Sequence, residues 1–245
     1  MPENDSATDA RLPTRTVTFA VHRYRPGQID PPRRQSFRVP VNASTTILQG
    51  LDYIRRHLDG SLMFRHSCHH SACGTCALRV NGTERLACIT RVLDLKADPV
   101  VLEPLKGFVC EGDLVIAPDD LFADIAPDAS ALRDCEEATA QRTPEGVNKL
   151  RRLEDCIECG ACRSACPAVQ AHPEFMGPAA LAAIHRQILN ADAPPADLLT
   201  RAAGDRGERW CDRSIACSRV CPTGVYPARH IADLRRLLDK TDNRR

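Results

Sequence analysis

One twelve-residue pattern occurs twice in this 245-residue chain and restricts its fold more than any other feature. Cys156, Cys159, Cys162 and Cys166-Pro167 align without a gap on Cys211, Ser214, Cys217 and Cys221-Pro222, so the second copy carries serine where the first carries a cysteine. The first copy has the spacing C-x2-C-x2-C-x3-C-P of iron–sulfur sequences, in which the fourth cysteine of each run ligates the cluster of the other run. That crossing sorts the thiols. Cys156, Cys159, Cys162 and Cys221 form a complete set suited to a [4Fe-4S] cube. Cys166, Cys211 and Cys217 form a set of three, suited to a [3Fe-4S] cluster whose vacant corner faces Ser214, because a serine hydroxyl is a poor iron ligand at neutral pH.

A second cysteine motif lies upstream. Cys68, Cys73 and Cys76 follow C-x4-C-x2-C, and Cys88 comes after eleven intervening residues, the pattern of C-x4-C-x2-C and a distant fourth cysteine that plant-type ferredoxins use for a [2Fe-2S] cluster. Ser71, Ala72, Gly74 and Thr75 are small enough to let the backbone close around such a cluster and aim N–H groups at its sulfurs. Structural zinc is the competing reading of any four-cysteine set, but zinc ordinarily uses two separated C-x2-C pairs, whereas the downstream run crowds four thiolates together. A Rieske site is excluded by its missing second Cys–His pair: Cys68-His69 is one, but Cys76 and Cys88 are followed by Ala77 and Ile89. His66, His69 and His70 are therefore polar loop residues that tune the cluster or face solvent. Cys110 and Cys135 fall outside every set and take no role.

The rest of the chain is organised around these motifs. Residues 1–13 read as a polar, flexible tail. Thr16 to Tyr24 and Gln35 to Val41 alternate with period two and form a hairpin across a Pro-rich turn at 31–34. Ser44 or Thr45 caps a helix whose apolar stripe is Ile47, Leu48, Leu51, Ile54 and Leu58, ended by Gly60. Strands over Ala77 to Val80 and Arg85 to Ile89 meet at Asn81-Gly82, which puts Cys88 on a strand. Strands at Val100 and Asp113 to Ala117 complete the sheet. These features predict a β-grasp [2Fe-2S] domain over 14–118, a connecting segment over 119–144 and a helical, bacterial-ferredoxin-like domain over 145–245, an α+β chain. Helices are expected over 145–155, 178–190, 195–203 and 225–239, the last with Ile231, Leu234, Leu237 and Leu238 on its apolar stripe.

Composition narrows the setting. A net charge of +1 with interspersed signs gives no footprint for nucleic acid. Aromatic residues are only 4 % of the chain, so inorganic clusters are expected to fill part of the interior. The polar start and thirteen cysteines in so long a chain point to reduced thiols in the cytoplasm rather than a secreted disulfide scaffold. No window approaches about 18 consecutive apolar residues, so any work at a bilayer requires a partner as anchor.

Taken together, the plant-type motif, the C-x2-C-x2-C-x3-C-P run and the distant C-x5-C-x3-C-P run resemble the iron–sulfur subunit of succinate dehydrogenase and fumarate reductase. Phe64 to Cys68, Cys73-Gly74-Thr75-Cys76, Leu86 to Thr90, Glu103 to Gly107 and Asp113 to Val115 carry the likeness further. The resemblance implies a three-cluster electron wire in a succinate:quinone oxidoreductase, peripheral on the cytoplasmic face of the inner membrane. A flavoprotein partner with FAD would handle succinate or fumarate, a membrane-anchor partner would present quinone, and this chain would have no dehydrogenase site of its own. Other flavin-linked complexes, such as glycolate oxidase or heterodisulfide reductase, resemble it less, because they carry two complete four-cysteine runs and Ser214 breaks one here. In quinone-reducing members the cysteine–proline pair of the third cluster precedes serine and tryptophan, and the next cysteine precedes histidine. Ala168, Gln170, Ala171 and Asp212 stand at those places, which points to a divergent anchor with the acceptor held elsewhere. Trp210 either lines a site beside Cys211 or packs on the cluster.

Overall fold

A computed structural model describes residues 14–125, 155–191 and 195–242. Strand β1 (Arg15–Arg25) pairs antiparallel with β2 (Ile29–Val41), Phe19 opposite Phe37 and Val17 opposite Val39. Alternation sends Val17, Phe19 and Val21 to the buried face together with Phe37, Val39 and Val41. The chain reverses at residues 26–28, where the Gln28 N–H donates to the Arg25 carbonyl, and not at the expected Pro-rich turn. Pro31 and Pro32 instead lie inside β2, beside the irregularity between Arg23 and Arg25. Proline is tolerated there because β2 is the edge strand of a sheet ordered β2-β1-β5-β3-β4, so its missing N–H costs no ladder bond.

Helix α1 (Ile47–His57) lies across that sheet and buries Ile47, Leu48, Leu51 and Ile54. Its cap is Thr46, one residue beyond the expected pair, in a capping box with Gln49; Ser44 and Thr45 instead bond the Asn42 side chain. Leu58 ends the helix and is exposed, so it leaves the predicted stripe. Strands β3 (Ala77–Val80) and β4 (Thr83–Leu86) form the hairpin at Asn81-Gly82, and β5 (Val100–Glu103) runs parallel to β1 at the centre. Cys88 is not on a strand. Leu86 already accepts from Ile89 and Thr90, which turns the chain immediately after β4 and presents Cys88 from that turn. Asp113 and Leu114 likewise form a turn between β6 (Cys110–Gly112) and β7 (Val115–Ile116), a separate two-stranded ribbon rather than part of the main sheet.

That ribbon is tied to the sheet by Arg23, only 1 % exposed, whose Nε donates to Asp113 Oδ1 at 3.1 Å. Its Nη1 donates to Asp59 and Gln35, both at 2.6 Å, and its Nη2 to Ser61 at 3.0 Å. Asp113, also fully buried, accepts from the N–H groups of Tyr24 and Met63 as well. Three bonds to Asp113 and four from Arg23 offset the cost of burying the two charges, which is the condition under which a buried ion pair persists.

After the short α2 (Asp119–Phe122), all described elements are helical. They are α3 (Ala161–Ser164), α4 (Pro167–Ala171), α5 (Gly177–Asn190), α6 (Ala196–Ala203), α7 (Ala216–Arg219) and α8 (Pro227–Asp242). The helix expected over 145–155 and most of the connecting segment fall outside the described residues. Helix α5 packs on α8 through Leu181, Ile184, Ile188, Ile231, Leu234 and Leu238, which makes a second core distinct from that of the sheet. Leu237 is only partly buried against it.

Replacing Asp113 with alanine strands the Arg23 charge beside a single remaining carboxylate and is expected to cost about 3 kcal/mol, read as a lowered urea midpoint. Hydrogen bonds from Ser61 and Arg23 hold Asp59 down at about 2, against its ordinary value of 3.8. Its contribution to stability is therefore present above about 3.8 and is lost as pH falls through about 2. Asp59→Asn should flatten the acid-denaturation curve across that window.

Candidate functional site

The eleven motif cysteines lie along three stretches, one in the loop after α1 with the turn after β4, and two in the helical half. At the first, the loop after α1 curls over the sheet edge with His69, Ser71 and Gly74 at positive φ. The Ala72 N–H points at Cys68 Sγ, 3.3 Å away. Burial alone would raise the Cys73 thiol, yet hydrogen bonds with Thr75 and Cys68 bring it down to about 6. Burial pushes Cys76 up to about 12, and its hydrogen-bonding neighbour is Cys88. This region therefore presents Cys68 with Cys73 as a wetter pair and Cys76 with Cys88 as a buried pair, with an N–H and hydroxyl lining suited to a cluster that becomes more negative on reduction. His66 sits between Arg55 and His69, with ring contacts of 3.0 Å to each, and so fastens the loop to the last turn of α1. Burial and the neighbouring Arg55 lower its pKa.

The helical half repeats in shape as it does in sequence. Glu158 and Gly160 adopt positive φ ahead of α3, and Arg213 and Ile215, the equivalent residues of the second copy, do the same ahead of α7. Glycine suits that conformation; isoleucine pays a steric penalty there and is left 47 % exposed. Nothing in residue spacing announced this, although alignment of Ile215 with Gly160 was a usable signal.

Cys156, Cys159, Cys162 and Cys221 line one cavity between α2, α3, α5 and the segment leading to α8. The electrostatic neighbours of each thiol fall into two groups. Cys159 faces Cys156 and Cys221, Cys156 faces Cys221, and Cys162 faces all three. Cys166 faces Cys211, and Cys217 faces both. Cys162 also feels Cys217, so the two groups abut. Burial drives five of the thiols upward: Cys156 and Cys166 in direction, Cys159 and Cys217 to about 12, and Cys162 well above the ordinary thiol range. An interior that refuses thiolate charge yet gathers four sulfurs about a cavity fits a multi-iron cluster, whose cations restore the balance. The sulfurs stand around the cavity walls; among the described residues, no three His, Cys, Asp or Glu are gathered as ligands of one ion.

Cys166 is the N-cap residue of α4, and the N–H groups of Val169 and Ala168 at the start of that helix favour charge on its sulfur without closing a cap hydrogen bond. Ser214 is exposed, and its N–H closes a turn onto Asp212 Oδ1 at 3.0 Å. Trp210 packs against the core beside Cys211, and the His172 ring stacks on it with centroids 3.9 Å apart. Its Nε1 donates to the Asp205 carbonyl at 2.6 Å. Ala168 is buried, while Ala171 and Asp212 are exposed. Cys110 lies away from all three places, bonded to the Asp113 carbonyl, and Cys135 falls outside the described residues. Two residues join the halves: Ser164, which the sequence reading passed over, bonded to Glu84, and Gly74, which that reading placed only against its own cluster, seated against Ile157 and Cys159.

Comparison with known proteins finds two cluster-binding domains in this order along the chain. A 2Fe-2S iron-sulfur cluster binding domain matches residues 18–123, and a 4Fe-4S dicluster domain matches residues 152–225. The fumarate reductase iron-sulfur subunit of Mycobacterium tuberculosis is 35 % identical over 218 residues, 86 % of this chain and 88 % of that one. The succinate dehydrogenase iron-sulfur subunit of Coxiella burnetii is 31 % identical, covering 93 % of this chain and 99 % of the relative. A chain of the Mycobacterium smegmatis Sdh1 complex in the apo form has the same fold, with a TM-score of 0.77 at 23 % identity over 94 % of this chain and 98 % of that one.

Because metal binding and folding are linked where buried thiolates are the ligands, iron removal should loosen the two halves unequally. Hydrogen exchange after chelation is expected to lose protection in 161–171 and 211–221, while amides around Phe19, Leu51 and Ile54 stay protected by their own apolar core. Cys110→Ser should leave the iron content unchanged.

Proposed function

Since the chain belongs to the family of iron–sulfur subunits of succinate dehydrogenase and fumarate reductase, with a 2Fe-2S domain followed by a 4Fe-4S dicluster domain, we propose a three-cluster ligand set for its electron-transfer role. Cys68, Cys73, Cys76 and Cys88 hold a [2Fe-2S] cluster; Cys156, Cys159, Cys162 and Cys221 hold a [4Fe-4S] cluster; Cys166, Cys211 and Cys217 hold a [3Fe-4S] cluster. The observation that carries this reading is the grouping of the repeat's seven thiols into neighbouring sets of four and three that abut at Cys162 and Cys217, each taking one member from the other run of the repeat. Ser214, turned to the surface in its own hydrogen-bonded turn, supports an open corner in the third set.

When bound, the clusters supply one-electron redox chemistry at potentials set by charge, hydrogen bonding and exposure. The protein supplies the surroundings. N–H groups of Ala72, Ala168 and Val169 and the hydroxyl of Thr75 stabilise charge on their sulfurs. Apolar packing by Ile184, Leu181 and Val225 keeps water from the inner sets. The partners are a flavoprotein subunit with FAD at the [2Fe-2S] end and a membrane anchor presenting quinone at the [3Fe-4S] end, with this chain peripheral on the cytoplasmic face of the inner membrane. No described helix is long and apolar enough to cross a membrane, and in this reading the anchor is a separate subunit. Ala168, Ala171 and Asp212 beside the third set favour an acceptor held outside the usual quinone pocket. Succinate:quinone oxidoreductase is the leading assignment, with the working direction set by the potentials of partner and acceptor; the iron–sulfur subunit of a fumarate reductase is the second reading, favoured by the names of the Mycobacterium tuberculosis and Haemophilus influenzae relatives, the latter 34 % identical.

The test is low-temperature EPR with iron analysis on the chain purified anaerobically. Iron should approach about nine atoms per chain, from two, four and three. The oxidised protein should show a [3Fe-4S] signal that disappears in Ser214→Cys, replaced on reduction by a second [4Fe-4S] signal. An unchanged spectrum overturns the three-thiol assignment.

A further inference from the structure

The loop of the first site and the run of the second touch at one glycine. Gly74 lies between Cys73 and Cys76 at φ +70°, and a Cβ placed on it would sit 2.6 Å from the Ile157 carbonyl oxygen, 2.7 Å from Cys159 Cβ and 2.9 Å from Cys159 Cα. Real carbon contacts do not come so close, and two of the three obstructing atoms are backbone, which no rotamer change can clear. A ligand loop of one cluster thus rests with no intervening side chain on a ligand of the next. The same interface has a second fixed point. Ser164, between Cys162 of the four-thiol set and Cys166 of the three-thiol set, donates its hydroxyl to the buried Glu84 at 2.8 Å and accepts the Lys106 N–H at 2.9 Å. Both partners belong to the sheet half.

Resting on the ligand assignment above, we infer that Gly74 is a positioning residue for electron transfer between the first and second clusters, and that the Ser164–Glu84 hydrogen bond holds the two halves at that approach. The argument is steric. Any side chain at position 74 must push the Cys73–Cys76 loop away from Ile157 and Cys159, and separation governs tunnelling far more steeply than it governs stability. Effective contact between reacting centres is a general requirement that binding energy is used to meet. Glycine also satisfies the positive φ, but that need alone does not account for the contact: Gly82 has φ +81° with only the flexible tip of Arg79 nearby.

The comparison of those two glycines provides the experiment. Full-length wild type, Gly74→Ala, Ser164→Ala and Gly82→Ala are purified anaerobically, their iron and visible spectra are recorded, and EPR of the dithionite-reduced proteins is measured. In wild type, the reduced [2Fe-2S] signal is expected to be broadened and fast-relaxing through its spin interaction with the reduced [4Fe-4S] cluster. Gly74→Ala should keep its iron and lose that broadening, Ser164→Ala should weaken it, and Gly82→Ala should retain it. Broadening retained in Gly74→Ala with all iron present overturns the inference. If Gly74→Ala fails to assemble its clusters, Ser164→Ala decides: weakened broadening supports the inference, and unchanged broadening overturns it. A wild type with no [2Fe-2S] or [4Fe-4S] signal fails at an earlier step, overturning the ligand assignment and this inference with it.

Discussion

Sulfur buried where thiolate charge is unwelcome is the tension around which the helical half is built. Cys162 has its thiol pushed far above the ordinary range by burial, and Cys159 and Cys217 are pushed to about 12, so the folded interior favours protonated sulfur until cations enter. In the proposed ligand sets iron would offset that charge by taking the thiolates as ligands, which would link cluster assembly to folding. The sheet half is different in kind. Its core of Phe19, Val39, Leu51, Ile54 and Leu102 is apolar, with Cys76 and Cys88 at its margin, and hydrogen bonds bring Cys73 down to about 6 at its surface.

The internal repeat explains how so few secondary-structure elements can hold two inner sets. Each copy passes through two positive-φ residues, makes one turn of helix and ends at a Cys–Pro step. Because α3 and α7 are short, their terminal cysteines swing past their own turn toward the other copy, and Cys162 lies near enough to Cys217 for each to feel the other's charge. Ile215 shows that shape is held against local preference. A β-branched residue adopts the backbone that Gly160 takes freely, so the surrounding contacts, not the residue, dictate that turn.

Between the halves, specificity comes from very small groups. Gly74 contributes the lack of a Cβ, and Ser164 a single hydroxyl with one donor and one acceptor, both used across the interface. Arg23 plays the comparable part within the sheet half, where one guanidinium joins β1, β2, the loop after α1 and the β6–β7 turn. Such contacts set distances, whereas the apolar cores supply most of the folding free energy.

Cysteine spacing by itself determined the three ligand sets proposed here and the crossing between the runs, because cluster chemistry tolerates few arrangements of four sulfurs in so short a stretch. Alternation and the Asn81-Gly82 turn likewise made the strands and the α+β order legible, since period and turn geometry are local properties. Several local readings gave way to context. Proline at 31–32 marks a turn in most sequences but is tolerated on an edge strand, and Cys88 left its strand once Leu86 had turned the chain. The contact of Gly74 with Cys159 and the bond of Ser164 to Glu84 were invisible beforehand, because 85 and 80 residues separate the partners and neither glycine nor serine carries a mark of what it will touch. Only the folded chain decides those contacts, since they depend on how two independently cored halves come to rest on each other.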